Sequence, residues 1–138
     1  MRVRALSTSG KALPPAMLDD IWGLTPDADY PLTTGKEYIV YAITVAKDAF
    51  WYYILDDDER PYPIWYPSPL FEVTDGTPSS RWVVSYVPPG PLTPDAGSSL
   101  IAFREWAMDH LYYERLVDGD EQAVAAFRRE KALIDHEA

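Results

Sequence analysis

Cysteine is absent from this chain and only two histidines occur, His110 and His136. The first absence rules out disulfide scaffolding, thiol nucleophiles and thiolate metal sites, and it permits a reducing compartment. The second leaves little for imidazole catalysis. His110 lies beside Asp109 in a segment with helical spacing, where neighbouring side chains diverge by about 100° and do not orient one another as a catalytic pair must. Long apolar runs are missing as well. No stretch approaches the ~18 apolar residues of a membrane span, and the start, Met1 to Lys11, lacks the apolar run of roughly 7 to 15 residues that a secretion signal needs. A cytoplasmic location is the expectation. No phosphate-binding loop is present either: Ser9-Gly10-Lys11 continues with Ala12 and Gly35-Lys36 with Glu37, where Ser or Thr is required to hold magnesium. No dinucleotide or nucleophile-elbow glycine pattern occurs, so no cofactor is expected.

Basic residues are also scarce. Twelve stand against 22 acidic ones, for a formal net charge of −10. The excess is spread along the chain: residues 31–97 hold nine acids and four bases, residues 98–138 nine and five. A uniformly anionic surface repels phosphate backbones and anionic lipid, which disfavours nucleic-acid and membrane partners and favours a basic protein partner. Solubility alone is the competing explanation.

The chain has 138 residues and 47% apolar composition, enough for one domain with a continuous core and no staples. It divides by character into an N-terminal extension (1–31), a β region (32–97) and a helical pair (98–138). The extension supports a short strand, one helical turn after Pro15, and a small apolar group at Leu18, Ile21, Trp22 and Leu24. From Lys36 to Ala46 and from Phe50 to Leu55, β-branched and aromatic residues line both faces, which predicts a hairpin linked through Lys47-Asp48-Ala49. The proline-rich run Pro61 to Pro69 lacks ladder donors and is expected at a sheet edge or in irregular structure. Leu70–Val73 and Trp82–Val87 read as further strands, Asp75-Gly76 as a turn, and Pro88 to Gly97 as a linker. Ser99 reads as the N-cap of an amphipathic helix reaching Val117, and Asp120 as the cap of a second one after the break at Asp118-Gly119. The predicted first helix carries apolar groups (Ile101, Phe103, Trp106, Leu111, Tyr112, Tyr113, Leu116) around much of its circumference, more than one face can cover. A monomer or weak homodimer is expected.

The densest charge run is Asp56-Asp57-Asp58-Glu59. It lacks the spacing and distal glutamate of a calcium loop. It reads either as a solvated turn that discourages edge-to-edge strand pairing or as a docking loop for a basic partner. Just beyond it, Tyr62, Trp65 and Tyr66 lie in the proline-stiffened run. Aromatics beside acids suit Arg and Lys side chains through cation–π contact and ion pairing; cover for the core is the alternative. The candidate partner-binding residues are therefore Asp56, Asp57, Asp58, Glu59, Tyr62, Trp65 and Tyr66. No catalytic or metal-ligating set is assigned.

One resemblance stands beside these readings. Leu32-Thr33-x-Gly35-Lys36-x-Tyr38-x-Val40, then Tyr53-x-Leu55-Asp56-Asp57, then Tyr66-Pro67-x-x-Leu70-Phe71-Glu72-Val73, resembles a group of small, mostly uncharacterised bacterial proteins with an SH3-like barrel. The resemblance implies a turn at Gly35, a hairpin loop at Asp56 and Asp57, and core positions at Leu70 and Phe71; it implies no catalytic residue. The expectation is an α+β protein: a small antiparallel SH3-like β-barrel or curled sheet of five to six strands, followed by two helices. The expected function is that of a non-enzymatic acidic binding protein, an immunity or antitoxin-type inhibitor of a cationic toxin, with a protein–protein interaction or assembly module as the alternative.

Overall fold

The structure, a computed structural model, describes residues 1–46, 48–88 and 98–138. It is an α+β protein with two antiparallel sheets. Strands β1 (Arg2–Ala5), β2 (Glu37–Ile39), β3 (Ala42–Ala46), β4 (Ala49–Ile54), β5 (Ile64–Pro67), β6 (Phe71–Asp75), β7 (Trp82–Val87) and β8 (Ser98–Phe103) precede helices α1 (Arg104–Ala107), α2 (Tyr112–Val117) and α3 (Glu121–Glu137). One sheet has the order β2-β1-β6, the other β5-β4-β3-β8-β7. The sheets stay separate among the described residues. The single strand expected over 36–46 is divided at Val40 and Tyr41, where the chain leaves one sheet for the other: Val40 N–H bonds back to Met1 O at 3.1 Å, whereas Tyr41 N–H reaches Tyr53 O at 2.9 Å. With that step the expected small barrel or curled sheet of five to six strands gives way to two sheets, which among the described residues hold three and five strands and form no closed barrel.

The β3–β4 hairpin follows from alternation and turn chemistry. Ile43 pairs with Tyr52 and Ala46 with Ala49, which leaves a two-residue connection. Asp48 there takes φ +58°, the left-handed conformation that tight hairpin turns require and that Asp tolerates. Tyr66, Tyr52 and Ile43 form one cross-strand row facing a first core, shared with Val3, Leu24, Val40, Leu70 and Phe71. Trp65, Tyr53 and Ala42 form the next row, on the opposite face. Ala42 and Tyr53 there meet Phe103, Trp106, Tyr112, Phe127 and Ile134 of the second core.

The first expected helix is corrected in part. Residues 98–103 form β8, seated between β3 and β7, with Ile101 opposite both Ile43 and Val84. Leu100 and Phe103 fit a helical spacing, but Leu100-Ile101-Ala102-Phe103 is also a short continuous apolar run of the kind a central strand carries, and pairing on both sides decides for the strand. Ser99 is therefore no helix cap, and the apolar groups expected around one helix are divided among several elements: Ile101 and Phe103 lie in this central strand, Trp106, Tyr112 and Leu116 are buried on α1 and α2, and Leu111 is exposed. Three helices follow, not two. Asp109 breaks the run, its carboxylate accepting Leu111 N–H at 3.0 Å. The second expected helix is present with its cap: Asp120 accepts Ala123 N–H at 3.0 Å, and Gly119 at φ +82° makes the preceding turn. The linker expected over Pro88 to Gly97 lies, apart from Pro88, outside the described residues. No helix among the described residues is long and apolar enough to cross a membrane.

Candidate functional site

The four-acid run divides into an inward and an outward half. The Asp56 side chain is 1% exposed. Its Oδ2 accepts the Tyr66 hydroxyl at 2.6 Å and Arg60 Nη1 at 2.8 Å, and its Oδ1 accepts the Asp58 N–H at 3.1 Å. Burial, reinforced by donation to Asp56, pushes the Tyr66 hydroxyl far above the usual tyrosine range. Asp57 accepts from Lys36 Nζ at 2.7 Å, Thr33 Oγ1 at 2.6 Å and the Tyr38 hydroxyl at 3.0 Å, and its N–H bonds to Pro31 O at 2.9 Å. The hydrogen bond from Lys36, then that from Thr33, holds its carboxyl below the ordinary carboxylate range. Asp56 and Asp57 thus fasten the loop to Tyr66 and to residues 31–38. Asp58 and Glu59 face solvent. Asp58 Oδ2 meets Arg60 Nη2 at 3.1 Å, and Glu59 sits at φ +57° at the tip of the turn.

Beside this loop runs a groove of about 750 Å3 whose walls include Trp22, Tyr30, Asp58, Arg60, Tyr62 and Trp65. The far wall comes from the N-terminal extension. There a short 3-10 turn, Asp20–Trp22, is capped by the Asp19 carboxylate on Ile21 N–H at 2.9 Å and closed by Gly23 in the left-handed region at φ +71°. Asp19 and Leu24 exchange backbone hydrogen bonds of 2.9 Å across it, and the Tyr30 hydroxyl donates to Gly23 O at 3.1 Å. The turn is rigid for these reasons, and it presents Trp22 against two other indoles. Trp22 lies 5.5 Å from Trp51, edge-on, and 5.3 Å from Trp65 at 35°, while Trp51 and Trp65 are 4.8 Å apart. Trp51 is fixed by its own Nε1–H on Ala46 O at 2.9 Å. Ile21, at the groove rim, is 93% exposed, an unusual fate for isoleucine on a well-anchored turn.

Of the residues singled out from sequence, Asp58, Tyr62, Trp65 and Tyr66 line this groove. Tyr66 is buried and shows little of itself to solvent; Asp56 is buried behind it. Asp57 and Glu59 stand outside the lining. Sequence reasoning missed Ile21, Trp22, Tyr30 and Trp51. Its one available signal was the short apolar group around Trp22, next to Asp19 and Asp20 in an otherwise proline-rich stretch.

The electrostatic setting follows from the chain segments that meet here. Residues 12–35 contain Asp19, Asp20, Asp27 and Asp29 and no base; residues 48–59 contain five acids and no base. Among the described residues Arg60 is the one cation in the groove's lining, shared between Asp56 and Asp58. Elsewhere Glu130, 3% exposed at its side chain, takes a two-pronged contact from Arg81 (Nε 2.7 Å, Nη2 3.0 Å), and Glu137 caps Ser80 N–H at 2.8 Å; these latch α3 to the start of β7. Both histidines are exposed. Among the described residues no group of three or more His, Asp or Glu side chains is placed to hold a metal ion. Comparison with protein-family models, with curated proteins and with solved structures finds no match to this chain.

Proposed function

We propose that this chain is a non-enzymatic binding protein that occupies the surface of a cationic protein, as an immunity or antitoxin-type inhibitor of a cationic bacterial toxin in the cytoplasm. The observation that carries this reading is the tryptophan-lined groove set between two base-free acidic segments. Aromatic faces and an excess of carboxylates over cations together attract Lys and Arg side chains, and the anchored turn lowers the entropy cost of presenting Trp22 and Ile21. An anionic face of this kind speeds capture of a cationic partner through long-range steering. The resemblance to small bacterial SH3-like proteins belongs to this proposal and supplies its setting, not its chemistry.

We take the contact residues to be Asp58, Glu59, Tyr62 and Trp65, joined by Ile21 and Trp22. Reversing Asp56 or Asp57 disrupts the loop and says nothing about binding. The test is co-expression with the product of each neighbouring reading frame. A toxic neighbour tolerated in the presence of this chain, with a complex whose association slows several-fold in Asp58→Lys/Glu59→Lys, supports the reading; no protection and an indifferent association rate refute it.

The reading as an assembly module has one observation of its own. Val45, Phe50, Val84 and Tyr86 are exposed and by register share one face of the five-stranded sheet. Sedimentation at micromolar concentration decides it: a dimer lost in Val84→Lys supports that module, a clean monomer removes its self-assembling form.

A further inference from the structure

We propose that a second pocket, between the five-stranded sheet and the elbow of α1 and α2, binds a small single-ring amine bearing a ring hydroxyl, the Tyr53 and Ser85 hydroxyls meeting the phenol and Glu114 the ammonium. This pocket shares no lining residue with the tryptophan-lined groove, and its ligand is independent of any protein partner held there.

The pocket holds about 320 Å3, and its lining includes Thr44, Tyr53, Ser85, Trp106, Tyr113 and Glu114. Strand register builds one side. Ser85 lies opposite Leu100 and Leu100 opposite Thr44, so the three share a face, with Ser85 and Thr44 about 10 Å apart across two strand spacings. Tyr53 stands on the same face, two residues beyond the Trp51 that pairs with Thr44. The elbow builds the other side. The Trp106 and Tyr113 rings stack at 5.6 Å and 9°, and Tyr53 is edge-on to both at 4.8 and 5.3 Å. These rings are packed against one another, so they form a stiff apolar wall and not a seat for a cation.

The hydroxyls set the chemistry. In the second core those of Tyr41, Tyr112 and Tyr113 each donate within the chain, to Asp135, Ala123 O and Pro63 O at 2.7, 2.7 and 2.6 Å. The Tyr53 hydroxyl makes no hydrogen bond among the described residues, and burial raises it to about 12, so it stays protonated at neutral pH. No buried side-chain nitrogen or oxygen among those residues lacks a partner; this hydroxyl therefore keeps contact with solvent, and the pocket is where Tyr53 meets it. Ser85, half-buried in the same lining, is also without a side-chain partner among the described residues. Thr44 Oγ1 gives its proton to Ser99 O at 2.7 Å and is left to accept. Half-buried hydroxyls around an apolar wall suit a ligand with an apolar body and a polar group of its own. Glu114 and His110 are exposed at the rim. Glu114 is the one carboxylate among the described lining residues, no Lys or Arg stands with it, and it forms no ion pair there. On a chain of net charge −10 such a rim rejects anions and accepts an ammonium. The volume lies at the lower end of the roughly 300–1,000 Å3 of ligand sites, which suits one ring.

The experiment titrates four probes into the full nitrogen-15-labelled chain and follows the Trp106 indole N–H: tyramine, phenethylamine without the hydroxyl, 4-ethylphenol without the ammonium, and 4-hydroxyphenylacetate with the charge reversed. Tyramine should give a saturable shift, phenethylamine and 4-ethylphenol should bind about fivefold or more weakly, and the anion should give none. Tyr53→Phe keeps the packed ring and breaks no internal hydrogen bond; it should cost tyramine several-fold and leave phenethylamine unchanged. Glu114→Gln, at the exposed rim, should cost tyramine several-fold and leave 4-ethylphenol unchanged. Equal binding of tyramine and phenethylamine, or indifference to Tyr53→Phe, overturns the hydroxyl recognition and with it the proposal. So does an anion that binds as well as the amine. No saturable shift with any probe, or shifts at Trp22 and Trp65 with Trp106 still, overturns the pocket as the site; the reading of the groove as a partner surface survives each of these results, because its own test uses Asp58 and Glu59.

Discussion

Asp56 and Glu59 sit three positions apart in one acidic run, and the structure assigns them opposite consequences. Truncating Asp56 to Ala removes the acceptor of the Tyr66 hydroxyl, which lies in the buried interior, and removes one of two partners of Arg60. An orphaned buried hydroxyl costs about 1–3 kcal/mol. The Arg60 contact adds at most about 1 kcal/mol, because that guanidinium is partly in water. Losing the Asp58 N–H contact frees the turn further. The sum is about 3 kcal/mol, and at roughly 3–4 °C per kcal/mol for a chain of this size the melting temperature should fall by about 10 °C. Glu59→Ala touches no hydrogen bond of the glutamate side chain and should stay within about 0.5 kcal/mol of the parent. Urea unfolding followed by tryptophan fluorescence gives both values, with the slope of the transition checking that the denatured state is unchanged. Equal effects for the two variants, in either direction, would refute the division of the loop into a structural and a solvent-facing half.

The remaining predictions concern backbone and titration. Glu59→Gly should raise stability by about 1 kcal/mol, because a residue with a Cβ at φ +57° is strained and glycine is not; a drop in the urea midpoint would contradict this. Glu130 is held below the ordinary glutamate range, chiefly by the Arg81 hydrogen bond. Its folded value lies below its unfolded one, so the stability it contributes is present above about pH 4.5 and is lost on acidification through the depressed value. Glu130→Gln should therefore flatten the acid limb of the stability curve, and an unchanged slope below pH 4.5 would count against the latch. Burial raises the hydroxyls of Tyr41, Tyr66, Tyr112 and Tyr113 well above the usual range and that of Tyr53 to about 12. For these groups the sign reverses: the stability is present below about pH 10 and lost as the pH rises, because the unfolded chain deprotonates first. Absorbance at alkaline pH should show these tyrosines ionising late and together with unfolding; simple ionisation near the ordinary value would contradict their burial.

Much of the scaffold was legible because local signals agreed with tertiary demands. The alternation through Ile43 and Tyr52 sets the hairpin, and the Asp120 cap with Ala123, Phe127 and Ile134 at helical spacing sets α3. The misreading at residues 98–103 has a clear cause. Leu100, Phe103 and Trp106 satisfy a helical period, and only the presence of β3 on one side and β7 on the other converts the first part into a strand. The barrel expectation failed at Val40 and Tyr41, where a continuous β pattern serves two sheets in turn, a change no local propensity marks. The acidic loop was visible as a charge run, but which carboxylates turn inward depends on Tyr66, Thr33, Lys36 and Tyr38, which pack there only in the folded chain. Trp65 was legible as a surface aromatic; Trp22, its partner across the groove, comes from a distant segment whose turn is held by Asp19 and Gly23.

The central claim is that the groove, and not some other part of the anionic surface, receives the cation. The chain has five tryptophans, Trp22, Trp51 and Trp65 in the groove wall and Trp82 and Trp106 away from it. Indole N–H resonances of the nitrogen-15-labelled protein, followed while an acetylated and amidated Gly-Arg-Leu-Arg-Gly peptide is added, read all five at once. The account predicts saturable shifts for Trp22 and Trp65 with Trp82 and Trp106 still. Shifts confined to Trp82 and Trp106, or no saturable shift at any indole, would contradict it.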